Sequence, residues 1–151
     1  MQRTEAFRRL DMVRDEFDAA KFALAQTLRA LDANPNVFHA GKLQQVTHGQ
    51  LQACAENLQI TYLVRLFAEF EAILRDYWLH GRHRRTEPRM EVLMNRLGAY
   101  CTVTYDDLHD AHEVRTYRND VIHAHLQDPR FDFPECRSRL ARFIRWLPLF
   151  W

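Results

Sequence analysis

The chain has 151 residues, including 4 Gly, 5 Pro and 3 Cys, and its 21 Lys and Arg against 20 Asp and Glu give a formal net charge of +1. This length suits a single domain, predicted over residues 1–151, whose core needs no disulfide or metal staple. So few glycines disfavour all-β and Rossmann-type folds, and the near-neutral charge excludes a histone-like polycation.

Two long helices are predicted in the first half of the chain. Apolar residues recur every three or four positions over residues 4–31, which indicates an amphipathic first helix. The second predicted helix spans residues 47–80 and opens with a capping box formed by Thr47 and Gln50. Its apolar positions extend beyond one face. They indicate either a central helix contacted on two sides or two helices broken near Gln59.

Three shorter helices follow. Pro88 suits the first turn of the third helix, the fourth is predicted over residues 106–125, and the fifth begins at Pro134. No segment alternates with a period of two for long enough to predict a strand. We therefore expect an all-α fold, an up-down bundle of four or five helices in which the first two form an antiparallel pair.

The remaining composition indicates a cytoplasmic protein. The cysteines Cys54, Cys101 and Cys136 are widely spaced in apolar surroundings, which predicts reduced core thiols and no disulfide framework. No apolar run reaches about 18 residues and the first residues are polar, so we predict neither a membrane segment nor a signal peptide. The aromatic run at residues 142–151 is predicted to pack onto the bundle.

The fourth helix carries an arginine where an apolar residue is expected. On a helical wheel Ala111 and Val114 mark its apolar side, and Arg118 lies near the middle of that side. A core-facing arginine is costly unless a carboxylate meets it, so we expect an acidic partner elsewhere. The second helix offers Glu69 and Glu71. A purely structural Arg–Glu pair is one interpretation of this pattern.

A short motif gives a second interpretation. Arg118, Asn119 and His123 have the form Arg-Asn-x-x-x-His. In the fourth helix of an all-helical chain of this size, the motif resembles the signature of HEPN domains, the small helical modules of many prokaryotic toxin and antiviral ribonucleases. Arg115 before the motif and Glu71 in the long second helix resemble further positions of that family. By helix order the resemblance covers most of the chain.

The resemblance implies an activity and its partners. HEPN nucleases act as homodimers, with two motif helices facing each other across a composite cleft. They cleave RNA without metal or cofactor, using the ribose 2′-hydroxyl as nucleophile. The family thus implies a cytoplasmic RNA endonuclease, a toxin or phage-defence effector with an antitoxin or another partner-gene protein. The alternative is a non-catalytic HEPN-like module that acts through its surface.

General chemistry gives each motif residue a role. Histidine exchanges protons near neutral pH, so His123 is the candidate acid or base. Arginine holds phosphate and its developing charge through paired hydrogen bonds, so Arg118 is the candidate phosphate clamp. Asn119 would orient either one. On an ideal helix Arg118 and His123 lie about 140° apart. They converge if the helix is distorted, if the arginine curls around it, or if a second protomer completes the site.

Supporting residues complete the predicted site. Many toxin members have a tyrosine two residues after the histidine, but this chain has His125, so regulation by tyrosine modification is not expected. His125 is either a second acid or base, or a core or interface histidine. The predicted supporting residues are Glu69, Glu71, Arg115 and His125.

Two further clusters carry weaker signals. Arg82, Arg84 and Arg85 belong to a basic stretch that fits RNA-backbone contact or a solvated loop equally well. His109 and His112 stand among acidic residues that could begin a metal site. The second helix has no matching histidine, so we predict no metal and interpret the acidic residues as solvated charge at a helix N-terminus.

Overall fold

The computed structural model describes residues 1–34, 46–123 and 130–151. Within these ranges the chain forms five α-helices and no strand, which confirms the all-α prediction. A π-helical turn, Tyr77–Gly81, directly continues the second helix. The helices are α1 (Arg3–Ala33), α2 (His48–Asp76), α3 (Met90–Tyr100), α4 (Tyr105–Ile122) and α5 (Phe133–Ile144).

Helix α2 is the central helix of the bundle. Its predicted capping box is present: the Thr47 side chain accepts from the Gln50 backbone N–H at 3.2 Å, and the Gln50 side chain accepts from the Thr47 N–H at 2.8 Å. The helix continues through Gln59, so the two-helix alternative is wrong. It packs against all four other α-helices, which explains why its apolar positions exceed one face.

Helices α1 and α2 form the predicted antiparallel pair. Arg9 near the start of α1 pairs with Glu69 near the end of α2 at 2.5 Å, and Glu16 further along α1 pairs with the earlier Arg65 at 2.8 Å. The order of the partners reverses between the helices, as antiparallel packing requires. Such partly exposed pairs add little stability, so the apolar seam holds the helices together.

One continuous core lies around α2. Phe67 and Phe70 of α2 are fully buried, and the Phe70 ring meets Phe143 of α5 edge to face at 5.6 Å between centroids. Burying side chains of this size stabilises the fold by about 1.5–3 kcal/mol each. None of the described helices is long and apolar enough to span a membrane. The α4 residues in this core are Ala111, Val114 and Tyr117.

The C-terminal aromatic run packs onto the bundle in part, while Phe150 is 69% exposed. Leu147 is fully buried, and the Trp151 indole donates to Asp76 at 2.7 Å. The Trp151 ring also meets Tyr77 edge to face at 5.3 Å between centroids. Backbone hydrogen bonds join residues 149–151 to residues 1–3, from the Arg3 N–H to the Leu149 carbonyl and from the Trp151 N–H to the Met1 carbonyl, each at 2.9 Å.

The three cysteines differ in exposure. Cys136 is buried and Cys101 is half-buried, but Cys54 is exposed, so the prediction of three core thiols is wrong for Cys54. It lies on the solvent side of the first half of α2, outside the apolar core. Burial raises the pKa of the Cys136 thiol to about 12 and also raises the pKa of Cys101.

Thiol labelling checks this arrangement. Because the thiolate is the reacting form, we expect one fast-reacting thiol in the folded protein, Cys54, and three in denaturant. An aromatic disulfide reagent followed by absorbance at neutral pH measures both, and Cys54→Ser serves as the control that removes the fast phase. A fast phase that survives Cys54→Ser in the folded protein would contradict the burial of Cys101 and Cys136.

Candidate functional site

Helix α4 positions the motif because both of its ends are defined. Thr104 caps its N-terminus by accepting from the Asp107 N–H, and the helix ends at Ile122 with His123 as the C-cap. Tyr117 is fully buried and occupies the core position beside the motif, which leaves Arg118 at the edge of the buried face. The hydrophobic pattern did not single out this tyrosine.

Arg118 is half-buried between a ring and an amide. Its guanidinium lies over the Phe67 ring at 5.5 Å from the centroid, and its Nη1 donates to the Asn119 Oδ1 at 2.9 Å. Its Nε is buried and has no hydrogen-bond partner among the described residues. No carboxylate in the described ranges pairs with this guanidinium, so its positive charge is not neutralised there.

The expected acidic partners of Arg118 bind other arginines. Glu69 faces α1 and pairs with Arg9, and Glu71 pairs with Arg75 one turn later in α2 at 2.6 Å. The expectation of an Arg118 pair with Glu69 or Glu71 is therefore wrong. Glu69 pairs with an arginine of α1, and Glu71 pairs with an arginine of α2 itself. A helical wheel of α4 alone does not show these neighbours.

Asn119 and His123 occupy one face of α4 at its C-terminal end. They are four residues apart, and the His123 backbone N–H donates to the Asn119 carbonyl at 3.0 Å. His123 is exposed and Asn119 is half-buried. Because α4 stays α-helical to Ile122, no distortion of the helix brings Arg118 toward His123. The Arg118–Asn119 hydrogen bond instead draws the guanidinium toward the face that Asn119 shares with His123.

Two further residues line the face that leads to the motif. Arg115 pairs with Glu91 at the start of α3, at 3.3 Å between Nη2 and Oε2. His112 contacts the Asn95 amide oxygen at 2.8 Å, and its pKa is lowered by burial and by the nearby Arg115 charge. Arg115 is therefore engaged by a carboxylate, and one ring nitrogen of His112 is engaged by an amide. His125 lies outside the described residues.

The acidic side of α4 binds α5. Arg139 pairs with Asp110 at 2.8 Å and with Glu113 at 2.5 Å, and Arg142 pairs with Asp107 at 3.1 Å. The expectation of solvated helix charge is wrong for these carboxylates, because α5 supplies arginines at the matching spacing. Among the described residues no group of three His, Cys, Asp or Glu side chains is placed to hold a metal.

The predicted RNA-binding arginines lie at a different place from the motif. Arg82 and Arg84 line a cavity of about 630 Å³ between the loop that follows the π-helical turn and α3. Arg85 lines a smaller neighbouring cavity of about 110 Å³. The other side chains of the larger cavity, chiefly Trp78 and Arg96, were not predicted as part of an RNA-binding surface. Of these, only Arg96 and Tyr100 carry a sequence signal, as exposed basic and aromatic residues of α3.

No family model, no curated protein and no solved structure matches this chain.

Proposed function

We propose that the chain is a metal-independent RNA endonuclease of the HEPN type, active as a homodimer, with Arg118, Asn119 and His123 at its reactive centre. The Arg118–Asn119 hydrogen bond of 2.9 Å carries the proposal. It holds a guanidinium, which no carboxylate in the described ranges pairs with, toward the face on which the exposed His123 lies. A toxin or phage-defence role, with an antitoxin or another partner-gene protein, is part of the same proposal by resemblance.

These residues fit an attack by the ribose 2′-hydroxyl on the adjacent phosphorus. A bond forms between O2′ and phosphorus while the bond from phosphorus to O5′ breaks. The proton of the 2′-hydroxyl passes to a base, and a proton reaches O5′ from an acid. His123 exchanges these protons, and Arg118 binds the non-bridging oxygens as their charge develops. The products are a 2′,3′-cyclic phosphate and a 5′-hydroxyl.

A second protomer would supply the second proton-transfer group. The attacking and leaving oxygens lie on opposite sides of the phosphorus, so one imidazole cannot serve both at once. Two copies of α4 facing each other would bring two His123 side chains to the cleft. Ile122 beside His123 is 46% exposed, which suits contact with a second copy.

The experiment is incubation of the purified protein with single-stranded RNA in EDTA. We expect cleavage with 2′,3′-cyclic phosphate ends, read by end-group analysis, and a dimer by light scattering. RNA with 2′-O-methyl groups is the control and should remain intact, because it lacks the nucleophile. Products with 3′-hydroxyl ends would contradict the mechanism. RNA that is bound but never cut would favour the alternative, a non-catalytic HEPN-like binding module.

A further inference from the structure

The cavity beside α3 is a cleft that opens to solvent, and its size and lining suit a ligand. Its volume of about 630 Å³ lies within the range typical of small-molecule pockets, about 300–1,000 Å³. Basic and aromatic side chains dominate its walls, and none of the lining residues is acidic. The lining residues are Trp78, Arg82, Arg84, Thr86, Arg96, Ala99 and Tyr100.

The positive charges of this cavity are available to an anion. Arg82, Arg84 and Arg96 pair with no carboxylate in the described part of the chain, whereas most arginines of α1 and α5 do. The Arg82 guanidinium stacks on the Tyr100 ring at 3.2 Å from the centroid, and Arg96 lies 5.9 Å from that of Trp78. A guanidinium stacked on a ring keeps its in-plane N–H donors free for phosphate oxygens.

The backbone that carries Arg82 and Arg84, and the Trp78 side chain, are held in place by hydrogen bonds. The Trp78 indole donates to the Thr86 carbonyl at 2.9 Å. The Arg82 and Arg84 backbone N–H groups donate to the carbonyls of Tyr77 and Trp78, at 3.0 and 3.1 Å. Between those two arginines His83 adopts a φ of 52°, a left-handed conformation that non-glycine residues rarely take. Ordering of this kind lowers the entropic cost of binding.

We infer that this cavity binds a nucleotide, with its phosphate on the three arginines and its base against the aromatic side chains. Tyr100 is 52% exposed, so aromatic surface is available for a base. Arginine with aromatic residues is the combination that recognises phosphate and base together. A free nucleoside phosphate and a nucleotide within single-stranded RNA share this chemistry.

This site is separate from the motif. Gly98, near the end of α3, packs against Leu108, near the start of α4. Arg118 lies ten residues after Leu108, which is about 15 Å along an α-helix. The inference therefore goes beyond the proposed cleavage site and does not depend on its chemistry.

Calorimetric titration tests the site. The probes are adenosine 5′-monophosphate, adenosine, inorganic phosphate and a short 2′-O-methylated RNA, which cannot be cleaved through its 2′-oxygen. We expect the monophosphate to bind at least about tenfold more tightly than adenosine or phosphate, since it engages both parts of the cavity. Tighter binding of the RNA than of the monophosphate would identify a strand as the ligand, and the reverse would identify a free nucleotide.

Matched variants locate the binding. Arg84→Gln and Arg96→Gln should each lower the affinity about tenfold, and Tyr100→Ala at least as much. Arg29→Gln removes an exposed arginine of α1 and should change nothing, and thermal melting verifies that each variant folds. Absence of binding by both the monophosphate and the RNA would overturn the inference. Binding that survives Arg84→Gln and Arg96→Gln in folded protein would overturn it as well. Both readouts are independent of RNA cleavage.

Discussion

His123→Ala is expected to lower RNA cleavage by about 10²–10⁴-fold, because general acid–base catalysis contributes that much to the rate. The fold should survive, since the capping hydrogen bond to Asn119 comes from the backbone N–H, which alanine keeps. The rate is measured as kcat/KM on a fluorescent RNA oligonucleotide. Circular dichroism melting is the measure of folding.

A histidine elsewhere on the same helix provides the control. His109 is exposed on the second turn of α4, far from the motif, so His109→Ala should cut RNA at the parent rate. Arg118→Lys keeps the charge but loses the paired hydrogen bonds. It should lower the cleavage rate and change the melting temperature little. Full activity of folded His123→Ala would remove this histidine from the mechanism. Loss of stability without loss of rate in the Arg118 variant would assign the arginine a structural role.

Gly81→Ala is expected to destabilise the protein by about 1–3 kcal/mol through overpacking. A Cβ at Gly81 would clash with the Tyr77 ring and lie 2.8 Å from the Trp151 Cβ. Tyr77 is only 2% exposed and cannot swing aside without displacing its neighbours. Because Gly81 directly precedes Arg82, the same change should also weaken nucleotide binding. Urea unfolding and calorimetry measure the two effects.

Gly49 and Gly98 provide controls for the same substitution. Among the described residues, no atom outside the local helix backbone lies within 4 Å of a Cβ added at Gly49, so Gly49→Ala should be neutral or stabilising, as alanine favours helix. At Gly98 the nearest atoms are the Leu108 methyl groups at 3.2 Å, which can yield, so its effect should fall between the two. If Gly81→Ala is no more destabilising than Gly98→Ala, the close approach at Tyr77 and Trp151 is wrong.

The helices could be predicted because their signals are local. Hydrophobic periodicity gave all five, and Thr47 with Gln50 located the start of α2 to the residue. The solvent exposure of individual side chains was harder to predict from hydrophobic periodicity. Cys54 has apolar neighbours along the chain, but it lies on the solvent side of α2.

The candidate site was predictable only as far as one helix determines it. The sequence placed Arg118, Asn119 and His123 at the end of α4, and they lie there. The absence of an Arg118 pair with Glu69 or Glu71 was not predictable from α4. Arg9 of α1 binds Glu69, and Arg75 of α2 binds Glu71. These contacts depend on how helices pack, which the periodicity of a single helix does not contain.

The nucleotide cavity illustrates the same limit at longer range. Arg82 and Arg84 were visible as a basic stretch, but the aromatic wall they meet comes from α3 and from the end of α2. The sequence separation between Arg82 and Tyr100 hides their stacking contact. The basic stretch therefore predicted only a positively charged segment. The packing of α3 beside it forms the cavity.

The pairing of residues 1–3 with residues 149–151 has a consequence for folding kinetics. It closes almost the whole chain into one loop, and the entropic cost of closure grows with loop length. Contacts of such long sequence separation slow folding, so we expect this seam to form after the local helices. Trp151 belongs to the seam and packs against Tyr77, next to Gly81, so the backbone that carries Arg82 and Arg84 gains its final support at that late step. We therefore expect the cavity to bind its ligand only after the two ends of the chain have paired.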